Sequence, residues 1–137
     1  MKEKSITIVN KIEQLTELAT ALETLSEEWN IPIATILSLN LVLEELITNI
    51  IFYGYTDKTE HKIIIRFSLD NKIIQIQIED DAIEFNPLLA AEPDIDKPIE
   101  NRKIGGLGIH FVRKLTDNIS YERTDNKNFL TLKKNIA

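Results

Sequence analysis

Residues 41–55, LVLEELITNIIFYGY, form the most apolar helical pattern in the chain, yet they carry polar side chains near their middle. With 3.6 residues per turn, Glu45 and Asn49 lie one above the other on a single helical face. The helical step of about 100° turns Glu44 away from that face. The pair indicates either a solvated face, with the two side chains bonded to each other or to water, or a functional site on a core helix.

The composition predicts one domain covering residues 1–137, because 43% hydrophobic residues suffice for a single core. The sequence has no cysteine, which excludes a disulfide framework, a thiolate zinc site and a cysteine nucleophile. Its N-terminus does not resemble a signal peptide, and it has no run of about 18 apolar residues. We therefore expect a cytoplasmic protein without a membrane span.

The net charge of −6 argues against direct nucleic-acid binding, which needs a basic face. A small phosphorylated ligand can still be held locally, by backbone N–H groups at a helix N-terminus and by a bound cation. The composition therefore favours a local anion site over a general phosphate-binding surface.

Two amphipathic helices are predicted in the first half of the chain. The first has its N-cap at Asn10, with Glu13 completing a capping box, and its apolar spacing continues to Trp29. The second begins close to Pro32 and ends before Gly54, which is placed to terminate it in a left-handed conformation. Each helix has an apolar face to pack.

Alternating apolar residues predict five strands, at residues 5–9, 63–69, 74–78, 118–123 and 129–133. Asp70-Asn71 forms the turn of one hairpin, and residues 125–128 connect the last two strands. The expected fold is α+β, a two-layer sandwich with a mixed, mainly antiparallel sheet and helices on one face. The other face is expected to be less apolar or used for association, for example in a homodimer.

The alternating pattern ends after Asp80-Asp81, and residues 82–104 contain three prolines without a clear period. A loop this long inside a compact domain is usually functional or disordered. It ends at Gly105-Gly106-Leu107-Gly108, and the apolar spacing that follows predicts that these glycines open a helix.

Features on these elements suit a nucleotide. Asp80, at a strand end, can accept a hydrogen bond from an exocyclic amine such as that of adenine. The glycines of residues 105–108 expose backbone N–H groups to phosphates. Asn49 offers an oxygen ligand for Mg²⁺, and Glu45 is placed to accept a proton from an attacking hydroxyl.

Each feature also has a simpler interpretation. Asp80 and Asp81 could be ordinary turn residues, and the glycines could form a hinge. The sequence contains no P-loop, and Gly106-x-Gly108 lacks the third glycine and the βαβ context of a dinucleotide site. The order of the features along the chain favours a nucleotide site of another kind.

Three segments resemble motifs of the GHKL-type (Bergerat) ATP-binding fold, and within it of the anti-sigma factor serine/threonine kinases of bacterial sporulation and stress response. Residues 45–55 resemble the N box, residues 80–87 the Asp-x-Gly-x-x-Phe box and residues 105–117 the last glycine box. The resemblance implies an ATP lid at about residues 82–104. It implies Glu45 as general base, Asn49 as Mg²⁺ ligand, Asp80 as adenine contact, and further nucleotide contacts at Ala82, Phe85, Gly105, Gly106, Leu107 and Gly108.

The same resemblance implies a function. The expected activity is ATP- and Mg²⁺-dependent phosphorylation of a serine or threonine on an anti-anti-sigma (STAS-type) partner, together with sequestration of a sigma factor. The alternative is an ATP-gated regulatory binding module without significant kinase activity. A sensor histidine kinase is less expected, because such enzymes need an upstream dimerisation helix that carries the phospho-accepting histidine, and only ten residues precede the first helix. His61 and His110 are more typical of structural histidines.

Two positions depart from the family pattern. Tyr53 stands where relatives often carry histidine, which we interpret as peripheral packing. Ala82 stands where the family has glycine. If that position needs a left-handed backbone, the Cβ atom costs about 1–2 kcal/mol. ATP affinity would then fall by about tenfold.

Overall fold

A computed structural model describes residues 1–89 and 106–136, with the backbone alone for residues 106–109. Short 3-10 turns lie at Ile12–Gln14 and Pro87–Leu89. The helices and strands follow one another as β1 (Lys2–Val9), α1 (Leu15–Glu28), α2 (Ile33–Tyr53), β2 (Lys62–Asp70), β3 (Ile73–Asp80), α3 (Gly106–Leu115), β4 (Asn118–Thr124) and β5 (Lys127–Asn135).

The five strands form one sheet in the order β1-β2-β3-β5-β4. Each of the four strand pairs in the described part of the chain is antiparallel. The predicted α+β fold with a five-stranded sheet and helices is confirmed, and the described pairing narrows the expected mixed sheet to an antiparallel one. The register places Asp80 directly opposite Asn128, and this pairing shapes the functional site.

The core lies between the sheet and the helices. Because side chains alternate across a strand, one face of β2 and β3 is buried and is apolar as far as Ile78, with Asp80 following on the same face. The buried apolar side chains are Ile63, Ile65, Phe67, Ile74, Ile76 and Ile78. Helix α2 contributes the most buried residues of any helix described, namely Ile36, Leu39, Val42, Leu43, Leu46 and Ile47.

The opposite face of the sheet is less apolar, although it includes Ile64, Ile73 and Phe129. Arg66 Nη2 lies 3.0 Å from Glu79 Oε1, and Lys127 Nζ lies 3.4 Å from Glu79 Oε2. Arg66 also donates to Gln77 Oε1 at 3.1 Å. Charged and amide side chains therefore occupy positions on this face where apolar side chains would need to be covered.

Both hairpin turns use two residues in the left-handed region. Asn71 and Lys72 have φ of 51° and 61°, and Asp125 and Asn126 have φ of 53° and 61°. Two consecutive positive φ values are typical of the type I′ turn, whose twist matches that of the strands. The first turn therefore lies one residue later than Asp70-Asn71. The second is shorter than residues 125–128, so that Asn128 belongs to β5.

The capping box predicted at Asn10 and Glu13 is wrong. The side-chain Oδ1 of Asn10 accepts a hydrogen bond from the His61 backbone N–H at 2.8 Å, and its Nδ2 donates to the Thr59 carbonyl at 3.3 Å. A long-range partner has displaced the local one, because the end of β1 is paired with the start of β2. The chain instead enters α1 through the 3-10 turn.

The left-handed conformation predicted for Gly54 is also wrong. Its φ is −85° and its ψ is −21°, so the backbone is right-handed helical. Glycine is needed here for space, because a Cβ atom would lie 2.6 Å from the Ile50 carbonyl oxygen and 2.8 Å from the Ala82 Cβ. The end of α2 therefore packs directly on the segment that follows β3.

Length and composition alone would allow α2 to cross a membrane, because it has 21 residues with a mean hydropathy of 1.5. A core helix passes the same test. In this structure α2 buries six side chains against the sheet and its neighbours. The core therefore explains part of its apolar character, while Ile33, Leu37, Leu41, Phe52 and Tyr53 are exposed.

Candidate functional site

A cavity of about 200 Å³ lies between the second half of α2, the end of β3 and the start of β5. Most of its lining is apolar, including Leu46, Ile50, Ile78, Ile83 and Leu130. The polar side chains that line it include Asn49, Asp80 and Asn128. A largely apolar cavity with a few convergent polar groups is the usual form of a small-molecule site.

Asp80 lies at the base of the cavity and is only 5% exposed. Its Oδ1 accepts hydrogen bonds from the Ala82 backbone N–H at 3.0 Å and from Asn128 Nδ2 at 2.9 Å. Burial raises the pKa of Asp80, whereas these two hydrogen bonds and the Arg123 guanidinium lower it. In the described structure both bonds end on Oδ1, so Oδ2 is the oxygen left for a ligand.

The sequence pattern does not identify Asn128 as a site residue. It predicts a loop at this position, but Asn128 is the second residue of β5, is 5% exposed and lines the cavity. The only signal available was its distance from the turn, because Asp125-Asn126 is a sufficient two-residue turn and leaves Asn128 in the strand. Its partner across the sheet is Asp80.

Ala82 lies in the cavity wall and is buried. It is not among the described non-glycine residues with positive φ, which are Asn30, Asn71, Lys72, Asp125 and Asn126. The condition for a backbone penalty at Ala82 is therefore not met. The Ala82 methyl group instead packs where Gly54 leaves room, and the Ile83 N–H donates to the Gly54 carbonyl at 2.9 Å.

Asn49 also lines the cavity, and its Nδ2 donates to Glu45 Oε1 at 3.2 Å. This contact confirms that the two side chains share one face of α2, and both are half-buried. Glu44 is exposed and points elsewhere. The bond orients the Asn49 amide so that its Oδ1 faces away from the Glu45 carboxylate.

The remaining predicted contacts are placed in part. Phe85 lines the cavity, and its backbone N–H donates to Asn128 Oδ1 at 3.4 Å. Helix α3 begins at Gly106, so the glycines do open a helix, and Leu107 and Gly108 lie in its first turn. Gly105 lies outside the described residues, as do residues 90–104 of the expected lid.

A second polar group flanks the cavity on the side of the α2–β2 connection. His61 Nε2 lies 2.8 Å from Asp57 Oδ1, and His61 Nδ1 lies 3.1 Å from Asp81 Oδ2. Hydrogen bonding to the two carboxylates raises the pKa of His61, and the Asp57 pKa is lowered to about 2, chiefly by its hydrogen bond with His61. The ring of Tyr55 stacks on His61, with centroids 4.2 Å apart.

Burial raises the pKa of Tyr55, and the nearby carboxylates of Asp80 and Asp81 raise it further. The phenol therefore stays neutral at physiological pH. Tyr55 stacks on His61, and His61 is hydrogen-bonded to Asp81. These contacts connect the segment after α2 to the residue that follows Asp80. The structural role expected for His61 agrees with these contacts.

Comparison with known proteins identifies a family for this chain. The histidine kinase-like ATPase domain family matches residues 8–134, almost the whole chain. The serine/threonine-protein kinase BtrW of Bordetella bronchiseptica is 25% identical over 100 residues, which cover 73% of this chain and 70% of BtrW.

Solved structures share the fold. One contains the RsbU and RsbW domains of a Mycobacterium tuberculosis protein; its TM-score is 0.69 at 13% identity, and the match covers 99% of this chain but only 32% of that one. Another is the histidine kinase domain of a blue-light activated histidine kinase from Erythrobacter litoralis, with a TM-score of 0.57, 17% identity and coverage of 91% of this chain and 60% of that one. These identities show the fold alone. The family match over residues 8–134 goes further: the chain belongs to the histidine kinase-like ATPase domain family, whose members bind nucleotides.

Proposed function

We propose that residues 1–137 form one cytoplasmic domain that binds ATP with Mg²⁺ and phosphorylates a serine or threonine of an anti-anti-sigma (STAS-type) partner, while also sequestering a sigma factor. One observation carries the proposal: Asp80 and Asn49 line the same cavity, and Glu45 is hydrogen-bonded to Asn49. The similarity to a serine/threonine-protein kinase supports the choice of phosphate acceptor.

The adenine ring of ATP would bind beside Asp80. The apolar walls, including Ile50, Ile78 and Leu130, suit the faces of a purine ring. Asp80 Oδ2 would accept a hydrogen bond from the 6-amino group of adenine. Such a charge-assisted bond is stronger than a neutral one and favours an amino group over a keto oxygen at that position.

The cation would bind beside Asn49. Asn49 Nδ2 is used by Glu45, so its Oδ1 is oriented as an oxygen ligand, and Mg²⁺ usually combines one or two protein oxygens with waters and phosphates. No cluster of three acidic, histidine or cysteine side chains suited to a metal occurs among the described residues. The Asn49 oxygen therefore fits a Mg²⁺ that is also bound by the phosphates. When bound, this Mg²⁺ would neutralise the charge that develops on the phosphates.

Glu45 would act as the general base. The oxygen of the partner's hydroxyl forms a bond to the γ-phosphorus, the bond from that phosphorus to the β–γ bridging oxygen breaks, and ADP leaves with the electron pair. The hydroxyl proton passes to the Glu45 carboxylate. Backbone N–H groups of residues 106–108, at the start of α3, would hold the phosphates together with that of Gly105. The proposed lid is the segment 82–104.

Calorimetric titration with ATP, with and without Mg²⁺, tests the binding step. We expect binding that Mg²⁺ tightens, and Asn49→Ala should lose mainly the part that depends on Mg²⁺. Native protein that shows no heat of binding under either condition would refute the proposal.

Transfer is tested separately. The native protein is purified from its own cells, its partners are identified by mass spectrometry, and transfer of labelled phosphate from ATP to them is measured. Label on a serine or threonine supports the kinase. Tight binding of ATP and of a partner without any transfer supports the ATP-gated binding module instead.

A further inference from the structure

Asn128 is a buried amide whose hydrogen-bonding groups are all in use. Its Nδ2 donates to Asp80 Oδ1 at 2.9 Å and to the Ile83 carbonyl at 2.9 Å, with the Ala82 carbonyl 3.4 Å away. Its Oδ1 accepts hydrogen bonds from the Tyr121 hydroxyl, from Arg123 Nη1 at 3.2 Å and from the Phe85 N–H at 3.4 Å. No donor hydrogen remains for a ligand.

The orientation of this amide is determined by its neighbours. The three groups around Nδ2 are oxygen acceptors, and the three groups around Oδ1 are donors. A flipped amide would place Oδ1 against the Asp80 carboxylate and Nδ2 against the Arg123 guanidinium. Both contacts would be repulsive, so one orientation is strongly preferred.

This amide in turn orients the carboxylate. Asn128 and the Ala82 N–H together hold Oδ1 of Asp80, which fixes the plane of the carboxyl group and leaves Oδ2 for the cavity. The same amide bonds to the Ile83 carbonyl and the Phe85 N–H, so the cavity wall after β3 is held by the same side chain.

We propose that Asn128 is a positioning residue for base recognition: it presents Asp80 Oδ2 to the cavity and thereby sets the preference for a 6-amino over a 6-keto purine. This inference rests on the nucleotide-binding function proposed above and deepens it. Asn128 has no group left to contact the base, so its effect reaches the ligand through Asp80.

The charged and titratable groups around Asp80 make this testable by pH. Asp81, Tyr55 and Tyr121 interact with the Asp80 carboxylate, and Arg123 is the cation that opposes the effect of burial. The Asn128 hydrogen bond favours the ionised carboxylate. Removal of this hydrogen bond should raise the Asp80 pKa. The pH below which the carboxylate is protonated, and below which ATP no longer binds, should then be higher.

The experiment compares ATP with ITP, which differ at position 6 of the purine, by calorimetric titration between pH 5 and 8. Asn128→Asp has nearly the same shape but replaces the donating Nδ2 with an acceptor. We expect ATP affinity to fall roughly ten- to a hundredfold, the ATP-to-ITP affinity ratio to approach one, and the acid limit of binding to move to higher pH. Asn128→Ala, which adds no charge, should change the ratio in the same direction.

Lys127→Gln is the matched control, because Lys127 is adjacent in β5 but bonds Glu79 on the other face of the sheet. It should keep the native ratio and the native pH profile. A folded Asn128→Asp or Asn128→Ala protein with the native ratio and profile would overturn the inference while leaving nucleotide binding intact. Native protein that binds neither nucleotide would overturn both.

Discussion

Two polar pairs at the site, Asp80 with Asn128 and Glu45 with Asn49, differ in how completely the protein satisfies their hydrogen-bonding groups. Asp80 and Asn128 are each 5% exposed and are joined to each other and to the neighbouring backbone. Glu45 and Asn49 are half-buried and share a hydrogen bond of 3.2 Å. The first pair is held by several contacts within the fold, whereas the second has oxygen atoms that the proposed cation and substrate would use.

This difference has a physical reason. A buried polar group must find a partner within the fold, because leaving it unpaired costs roughly 1–3 kcal/mol. A half-exposed group can pair with water and exchange that water for a ligand. We therefore expect changes at Asp80 or Asn128 to affect affinity and folding together, and changes at Glu45 or Asn49 to affect Mg²⁺ binding or chemistry more than folding.

The largest effect is expected from Glu45→Gln. Glutamine keeps the size of the side chain and most of its hydrogen bonding but cannot accept the hydroxyl proton. Phosphoryl transfer to the partner should fall by about 10²–10⁴-fold, with little change in ATP affinity. Labelled-phosphate transfer and calorimetric titration, run side by side, measure the two quantities.

Glu44→Gln is the control for this variant, because Glu44 is adjacent but exposed and off the Asn49 face. It should leave transfer and binding near native. Equal loss of transfer in both variants would show that local charge, and not a base at Glu45, is responsible.

Asp80→Asn should have the next largest effect. Replacing the carboxylate removes a charge-assisted acceptor worth about 1.5–3 kcal/mol, so ATP affinity should fall roughly 10- to 100-fold. In the native protein, burial raises the Asp80 pKa, so ATP affinity should decline as the pH falls through that raised pKa and the carboxylate becomes protonated. The variant should show no such limb; a native acid limb that persists in the variant would assign it to another group.

Gly54→Ala should act on folding. Its Cβ atom would meet the Ile50 carbonyl oxygen at 2.6 Å and the Ala82 Cβ at 2.8 Å, and overpacking of this kind typically costs about 1–3 kcal/mol. Urea denaturation gives the loss of unfolding free energy. Adding Ala82→Gly removes one of the two clashes and should recover part of the loss. No recovery would place all of the strain at Ile50.

The smallest effect is expected from His61→Gln, and it depends on pH. The His61 pKa is raised by Asp57 and Asp81, so the bond between them contributes stability below the ordinary pKa of about 6.5. This contribution is lost as the pH rises through the raised pKa. The decrease in Tm caused by His61→Gln should therefore be largest near pH 6 and shrink by pH 9; a difference that stays constant with pH would indicate packing against Tyr55 instead.

Much of the fold followed from local pattern alone. The strands have a period of two and the helices a period of 3.6, and neither period depends on knowing the partner. The shared face of Glu45 and Asn49 is a property of one helix, so it could be derived before any tertiary contact was known, and the 3.2 Å bond confirms it. The position of Asp80 at a strand end followed in the same way.

Tertiary structure decided the features that depend on two segments distant in sequence. Asn10 looked like an N-cap, but its side chain bonds residues 59–61 across a strand pair. Gly54 looked like a left-handed terminator, but its small size serves a contact with Ala82, 28 positions later. Asn128 looked like a loop residue, and only the register of β3 with β5 places it against Asp80. Local sequence sets which conformations a segment prefers, whereas close packing between distant segments determines which polar groups must be paired and which positions have no room for a Cβ atom.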